Sequence, residues 1–385
     1  MTKLFTTYKR WPITLVDGQD WHVTDSTGKT YVDLSSGIGV MSLGYHYPAV
    51  QDAVEKQVQH IWHNTNLYQS PGEEKVASLL INGLNLPDDY LAFFGNSGTE
   101  ANEAALKLAR RYTGKTRMLN FAGGFHGRTY GSLTVTPIPD IQQGFGVDTS
   151  GVKTAKFNDP AAIDELDASF AALIIEAVQG EGGVIPADKA WLQVLCARAH
   201  ELGVLVIVDE VQSGIGRTGS LFAFQQYGIE PDIITSAKAL ASGLPVGAMI
   251  GKAKLGSAFP YGAHGTTFGG NPIVMASATA VLQSLTPELL EHVQTVGKAA
   301  MTELATWTAL PAVTEVRGRG LMIGIELSAD LDVATVVQQL QEQGLLTLTA
   351  KHNTLRLLPP LIISEEALLD ALAIIKGVLV ADSKQ

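Results

Sequence analysis

The chain has 385 residues, of which 46% are hydrophobic, 17% are charged and 39 are glycine; this is the balance of a compact globular enzyme with many tight turns, and it excludes disordered and fibrous classes. The formal net charge of −11 and the lack of a basic stripe argue against a nucleic-acid surface. No apolar run approaches the roughly 20 residues of a membrane span, and residues 1–10 lack the apolar stretch of a secretory signal, so a soluble, cytoplasmic protein with no membrane partner is expected.

In chain order, residues 11–34 alternate apolar and polar positions around Asp-Gly and Thr-Gly-Lys turns, which predicts a small antiparallel ribbon. Helical periodicity begins at Pro48. From residue 90 onward short apolar runs alternate with helices, at 90–94, 117–121, 171–176, 204–208, 232–235 and 246–251. That order predicts an α/β fold, a mostly parallel sheet flanked by helices with its sites at the strand ends. The lone Cys196 falls on an apolar helical pattern and reads as core packing, since one cysteine makes no intrachain disulfide. After residue 275 a long helix, a glycine-rich strand pair at 316–327, a helix at 332–343 and two short runs ending in Arg356 suit a smaller α+β domain. The expected division is an N-terminal segment, 1–47, packing with the small domain, a large domain at 48–274, and the small domain at 275–385.

Chemistry concentrates where apolar runs end. Asp209 closes the run Val204–Val208, and Lys238 follows the run Asp232–Thr235. An acid able to hold a protonated ring nitrogen and an amine able to form an imine are the two groups that pyridoxal phosphate chemistry needs. A helix N-cap is the plainer reading of Asp209, and most lysines are solvated. Residues 94–110 read as a strand end, a small-residue turn and a strong helix, so the amides of Ser97, Gly98 and Thr99 would face an anion. A simple N-cap explains the same residues equally well. Phe125, with His126 beside it, is a candidate to lie over a flat ring, and Arg128 suits a substrate carboxylate as well as a structural salt bridge. Glu176 and Glu181 flank a glycine-rich loop after a buried strand, where a cleft would lie. Gln212 shares a turn with Asp209 and suits a phenolic oxygen, and Val211 between them suits packing under a ring. Nothing in the pattern calls for a metal. A nicotinamide dehydrogenase lacks support, because no Gly-Xaa-Gly-Xaa-Xaa-Gly follows the first strand.

Taken together, the segments Ser35–Pro48, Trp62–Tyr68, Ser97–Ala104, Phe125–Thr129, Gln179–Gly183, Asp209–Gln212, Thr266–Pro272 and Leu355–Pro360 make the chain resemble, over nearly its full length, the class III, fold-type I pyridoxal phosphate aminotransferases. The segments Trp62–Tyr68 and Phe125–Thr129 resemble the branch acting on acylated ornithine more than those acting on ornithine, succinylornithine, 4-aminobutyrate or succinyldiaminopimelate. The resemblance implies that Lys238 binds the cofactor as an imine and shuttles the proton, and that Asp209 keeps the ring nitrogen protonated. It further implies that Ser97, Gly98 and Thr99 bind the phosphate, Phe125 stacks on the ring, and Gln212 reaches the phenolic oxygen. By the same resemblance Thr267 reaches the phosphate of a neighbouring subunit, which implies a homodimer with shared active sites. Arg356 would take the α-carboxylate of glutamate and Arg128 the distal one; with the other substrate, Glu181 would mask Arg356 and Arg128 would take the α-carboxylate of N-acetylornithine. Two departures, Ala177 in place of a common proline and Ala241-Ser242 in place of a common Gly-Asn pair, flank these groups without supplying any.

Overall fold

A computed structural model of the protein describes residues 3–382. The N-terminal ribbon is β1 (Leu15–Gln19), β2 (His22–Asp25) and β3 (Thr30–Asp33). The central sheet comprises β4 (Tyr90–Gly95), β5 (Arg117–Phe121), β6 (Val152–Ala155), β7 (Phe170–Ile175), β10 (Leu205–Asp209), β11 (Ile233–Ser236) and β12 (Gly247–Lys252); between β7 and β10 lie the two-residue strands β8 (Val178–Gln179) and β9 (Ile185–Pro186). Its order is β4-β12-β11-β10-β7-β5-β6. Strands β6, β5, β7, β10 and β11 run parallel, while β12 is antiparallel to both β11 and β4.

These strands are apolar runs because helices cover both faces of the sheet, as parallel sheets require. Every residue of β7, β10, β11 and β12 is buried. One face packs Leu119, Phe121, Leu173, Val206 and Ile234 into a core that includes Phe170, Trp191, Phe222 and Phe224. The other packs Met118, Ile174, Ile207 and Ile233 beneath the Gly98–Thr113 helix, through Ala104, Ala105, Leu108 and Ala109. That helix starts on the Ser97 cap and stops at Gly114, whose φ of 69° is the left-handed conformation that glycine adopts freely. Cys196 lies buried on the Lys189–Glu201 helix, and burial pushes its thiol up to about 12.

A second core belongs to the C-terminal region. There β13 (Val313–Arg319), β14 (Met322–Leu327), β16 (Leu348–Ala350) and β17 (Thr354–Leu357) form an antiparallel sheet in the order β13-β14-β17-β16. It packs against the Pro287–Ala305, Val333–Glu342 and Glu365–Asp382 helices. The short strand β15 (Leu345–Leu346) leaves this unit to pair in parallel with β3, and Leu34 enters the second core, so the N-terminal ribbon and the C-terminal unit are hydrogen-bonded together. The Pro272–Ser284 helix buries Met275, Ala278 and Val281 in the first core, so residue 275 lies within one continuous helix of the large-sheet side. Among the described residues no single helix is long and apolar enough to cross a membrane.

Three local expectations are corrected. The edge strand β6 was not expected from the pattern; its Lys153 and Thr154 are exposed, so it carries no buried run. The glycine-rich loop expected after the buried strand, with Glu176 and Glu181, is ordered by the β8–β9 hairpin, and Glu176 is buried. Arg356 lies within β17 and pairs with Gly324, rather than at a strand end.

Candidate active site

The register of the parallel strands collects the chemistry. Val208 of β10 sits opposite Ile175 of β7, and Asp209 sits opposite Thr235 of β11. Glu176, Asp209 and Lys238 therefore emerge at the same end of three adjacent strands. They border a cavity of about 440 Å³. Every candidate site residue named from the sequence lines this cavity except Thr267 and Arg356.

Asp209 is buried and surrounded by donors, as a buried carboxylate must be. Its Oδ1 accepts the Val211 amide at 3.0 Å, and its Oδ2 accepts Asn102 Nδ2 at 2.8 Å and lies 2.8 Å from Nδ1 of the buried His126. The N-cap reading fails here, because a turn follows β10 where a helix would be needed. Asn102 is itself locked: its Nδ2 also donates to the His126 carbonyl at 2.7 Å, and its Oδ1 accepts the Thr235 hydroxyl at 2.7 Å. Sequence reasoning missed Asn102. The available signal was a poor helix former between Ala101 and Ala104 on the buried face of a helix. Glu176 completes the buried acid cluster, its Oε2 accepting the Phe125 amide at 3.1 Å and its Oε1 the Gly180 amide at 3.2 Å. Burial pushes its carboxyl up to about 7, opposed by His126 and reinforced by Asp209.

Lys238 opens a short 3-10 turn with φ of 44°, between Ala237 and Ala239. Burial lowers its pKa, Glu181 opposes that shift, and Arg356 adds to it. A lysine with depressed basicity is nucleophilic enough to form an imine. Opposite it, the first turn of the Gly98–Thr113 helix presents amides that have no partner within the helix. Ser97 does act as the N-cap, accepting the Glu100 amide at 3.3 Å. The Thr99 hydroxyl is engaged by Thr129 at 2.8 Å and Ser132 at 2.6 Å, so the free donors here are backbone groups. A Cβ on Gly98 would come within 2.7 Å of Val211, and one on Gly247 would strike the Ser97 carbonyl. Glycine at both places lets the turn close over the cavity.

Arg356 is buried and gripped at both ends of its guanidinium. Its Nη1 donates to Glu181 Oε1 at 2.6 Å and to Gln212 Oε1 at 3.1 Å, and its Nη2 donates to Glu181 Oε2 at 3.2 Å. Gln212 Nε2 donates to the same Glu181 at 3.3 Å. Burial alone would raise the Glu181 carboxyl, but Arg356, Lys238 and Gln212 together outweigh it and the net shift is downward. Arg128 is different: exposed, with its guanidinium 5.8 Å from the centre of the Phe125 ring, it has no carboxylate partner among the described residues. Thr267 is exposed in a loop outside this cavity, while its neighbour Thr266 accepts Asn96 Nδ2 at 3.2 Å.

The residues present fit pyridoxal phosphate. A donor-supported buried acid, a lysine of lowered basicity, a helix N-terminus and apolar flanks at Phe125 and Val211 meet the ring nitrogen, the aldehyde, the phosphate and the ring faces in turn. The family model for class-III aminotransferases matches residues 6–379. The chain is 51% identical over 380 residues to an acetylornithine aminotransferase of Lactiplantibacillus plantarum, covering 98% of this chain and 97% of that one. It is 44% identical over 379 residues to an acetylornithine aminotransferase of Bacillus subtilis, again covering 98% and 97%. Among solved structures, an N-acetylornithine aminotransferase from Stenotrophomonas maltophilia superposes with a TM-score of 0.84 at 32% identity, covering 97% of each chain. An ornithine aminotransferase from Toxoplasma gondii superposes with a TM-score of 0.93 at 29% identity, covering 100% of this chain and 94% of that one. The chain belongs to the class-III aminotransferase family and is a pyridoxal-phosphate-dependent aminotransferase.

Proposed function

We propose that the enzyme moves the δ-amino group of N-acetylornithine to 2-oxoglutarate, giving N-acetylglutamate 5-semialdehyde and glutamate in arginine biosynthesis. The observation that carries this reading is the contrast between the two arginines: Arg356 is held by Glu181 in a two-point pair, whereas Arg128 has no carboxylate partner among the described residues. Glutamate brings two carboxylates and needs both arginines. N-acetylornithine brings one free carboxylate, its α-amine is acylated, and its reactive amine is at the far end. With Arg356 covered, that one carboxylate goes to Arg128 and the terminal amine is directed inward. The curated relatives at 44–51% identity support this choice among substrates.

Pyridoxal phosphate, when bound, supplies an electron sink and carries the amino group from one substrate to the other. Asp209, oriented by His126 and Asn102, would hold a proton at the ring nitrogen. Lys238 would bind the aldehyde carbon at rest and, once freed, would carry the proton between the substrate carbon that bears the amine and the cofactor's aldehyde carbon. The first-turn amides at Gly98 and Thr99 would hold the phosphate, Phe125 and Val211 would flank the ring, and Gln212 would reach the phenolic oxygen.

The same reading makes the working unit a cytoplasmic homodimer. Supporting it, Trp62, Leu67, Tyr68, Tyr261 and Phe268 are large apolar side chains left exposed in the single chain, and Thr267 stands among them, apart from its own cavity. The test of the substrate logic is to follow the two half-reactions separately. Arg128→Ala should damage both, and Arg356→Ala chiefly the one with glutamate. Equal losses in the two half-reactions of Arg356→Ala would refute the division of labour.

A further inference from the structure

We infer that Glu103 is a positioning residue for Arg128, fastening the loop that bears this guanidinium to the helix whose first turn faces the phosphate. The inference rests on the reading of Arg128 as the common carboxylate receptor. Glu103 lies on the Gly98–Thr113 helix, and a single oxygen, Oε1, accepts three hydrogen bonds from the Arg128 loop: from the Thr129 hydroxyl at 2.5 Å, the Gly131 amide at 2.7 Å and the Ser132 amide at 3.0 Å. Thr129 is the residue after Arg128. From the first turn of the same helix, Thr99 joins Thr129 and Ser132 in a closed triangle of hydroxyls, at 2.8, 2.6 and 2.9 Å.

Two further observations show that this contact is built rather than incidental. A Cβ on Gly131 would strike the Glu103 carboxylate, and one on Gly127 would strike the Thr99 and Ser132 hydroxyls, so the glycines on both sides of Arg128 clear the space these groups occupy. Glu103 also has no cationic partner among the described residues. Its hydrogen bonds go to the Arg128 loop. Capping of the short Tyr130–Thr134 helix accounts for the two amide contacts but not for the Thr129 hydroxyl or the triangle. A loop with glycine at 123, 124 and 127 has no stiffness of its own, and a bidentate grip on a carboxylate tolerates little displacement. Mounting the loop on this helix makes the helix a ruler, at about 1.5 Å per residue, between the carboxylate receptor and the phosphate amides.

The test compares holoenzymes of wild type, Glu103→Ala, Glu103→Gln and Arg128→Ala in single-turnover half-reactions with N-acetylornithine, with glutamate and with pentylamine, an amine that has no carboxylate. Glu103→Ala should raise the apparent KM for both carboxylate substrates roughly tenfold or more, the loss expected for hydrogen bonds to a charged group. Its rate with pentylamine and its cofactor affinity should stay within about twofold of wild type, the range over which a free-energy change is too small to matter. Glu103→Gln keeps an acceptor oxygen and should recover most of the loss. An equal loss on pentylamine would mean a general collapse of the site and overturn the proposal. So would unchanged KM values in Glu103→Ala when Arg128→Ala raises them. If Arg128→Ala itself leaves KM unchanged, the reading of Arg128 fails, and the proposal falls with it.

Discussion

Removing Glu181 should tip the enzyme from one substrate towards the other. Under the proposed division of roles its carboxylate leaves Arg356 before glutamate binds there, which would break contacts of 2.6 and 3.2 Å. Each hydrogen bond to a charged group is worth about 1.5–3 kcal/mol. The Glu181 side chain is 32% exposed, so water compensates part of this. A net of about 1–2 kcal/mol is reasonable, or roughly five- to thirtyfold in rate. Glu181→Ala should therefore raise kcat/KM for the glutamate half-reaction by that factor. It should lower kcat/KM for N-acetylornithine by a similar factor, because the uncovered Arg356 now competes with Arg128 for its single carboxylate. Arg356 would keep Gln212 Oε1 and the Thr349 carbonyl as acceptors, at 3.1 and 3.4 Å, so the fold should survive. Stopped-flow measurement of each half-reaction gives the ratio directly, expected to shift by roughly a hundredfold in favour of glutamate, the product of the two factors. A ratio within twofold of wild type would refute the masking role.

Two other outcomes follow from the buried polar groups. Burial pushes Glu210 up to about 7 from 4.5, against hydrogen bonds from Ser213, Phe224 and Ala223. Its folded form holds the proton more tightly than its unfolded form, so its contribution to stability is complete below about pH 4.5 and is lost as pH rises through 7. Glu210→Gln should flatten the fall in unfolding free energy between pH 5 and pH 8, measured by urea titration, by up to about 3 kcal/mol, while Glu176, raised in the same direction, keeps some slope in both proteins. Parallel pH profiles for the two proteins would contradict this. Asn102→Ala removes a donor to Asp209 and a clamp on the His126 backbone, so cofactor affinity, measured by absorbance titration, should weaken roughly tenfold; an unchanged affinity would show that His126 and the Val211 amide suffice to orient the acid.

The strands were legible because parallel sheets buried on both faces must be continuous apolar runs, and the charged residue that ends such a run stands at the cleft by construction. Asp209 and Lys238 could thus be singled out before any fold was seen. Exposed β6 has no such run, and the reversal of β12 leaves no mark in composition, since its residues are as buried as those of its parallel neighbours. Contacts between remote segments were equally silent. Nothing local marks β15 as the partner of β3, or Asn102 as the link between Asp209 and Thr235, because each pairing exists only once the register of several strands has placed it. Thr99 was legible for its backbone amide and not for its hydroxyl, whose partners Thr129 and Ser132 lie some 30 residues away in the chain.

The choice of substrate is decided by kcat/KM for N-acetylornithine, ornithine, succinylornithine and 4-aminobutyrate, each measured with 2-oxoglutarate. N-acetylornithine should rank above ornithine and 4-aminobutyrate, because one free carboxylate at Arg128 and an acylated α-amine leave only the terminal amine to react. An ornithine value above the N-acetylornithine value would contradict it.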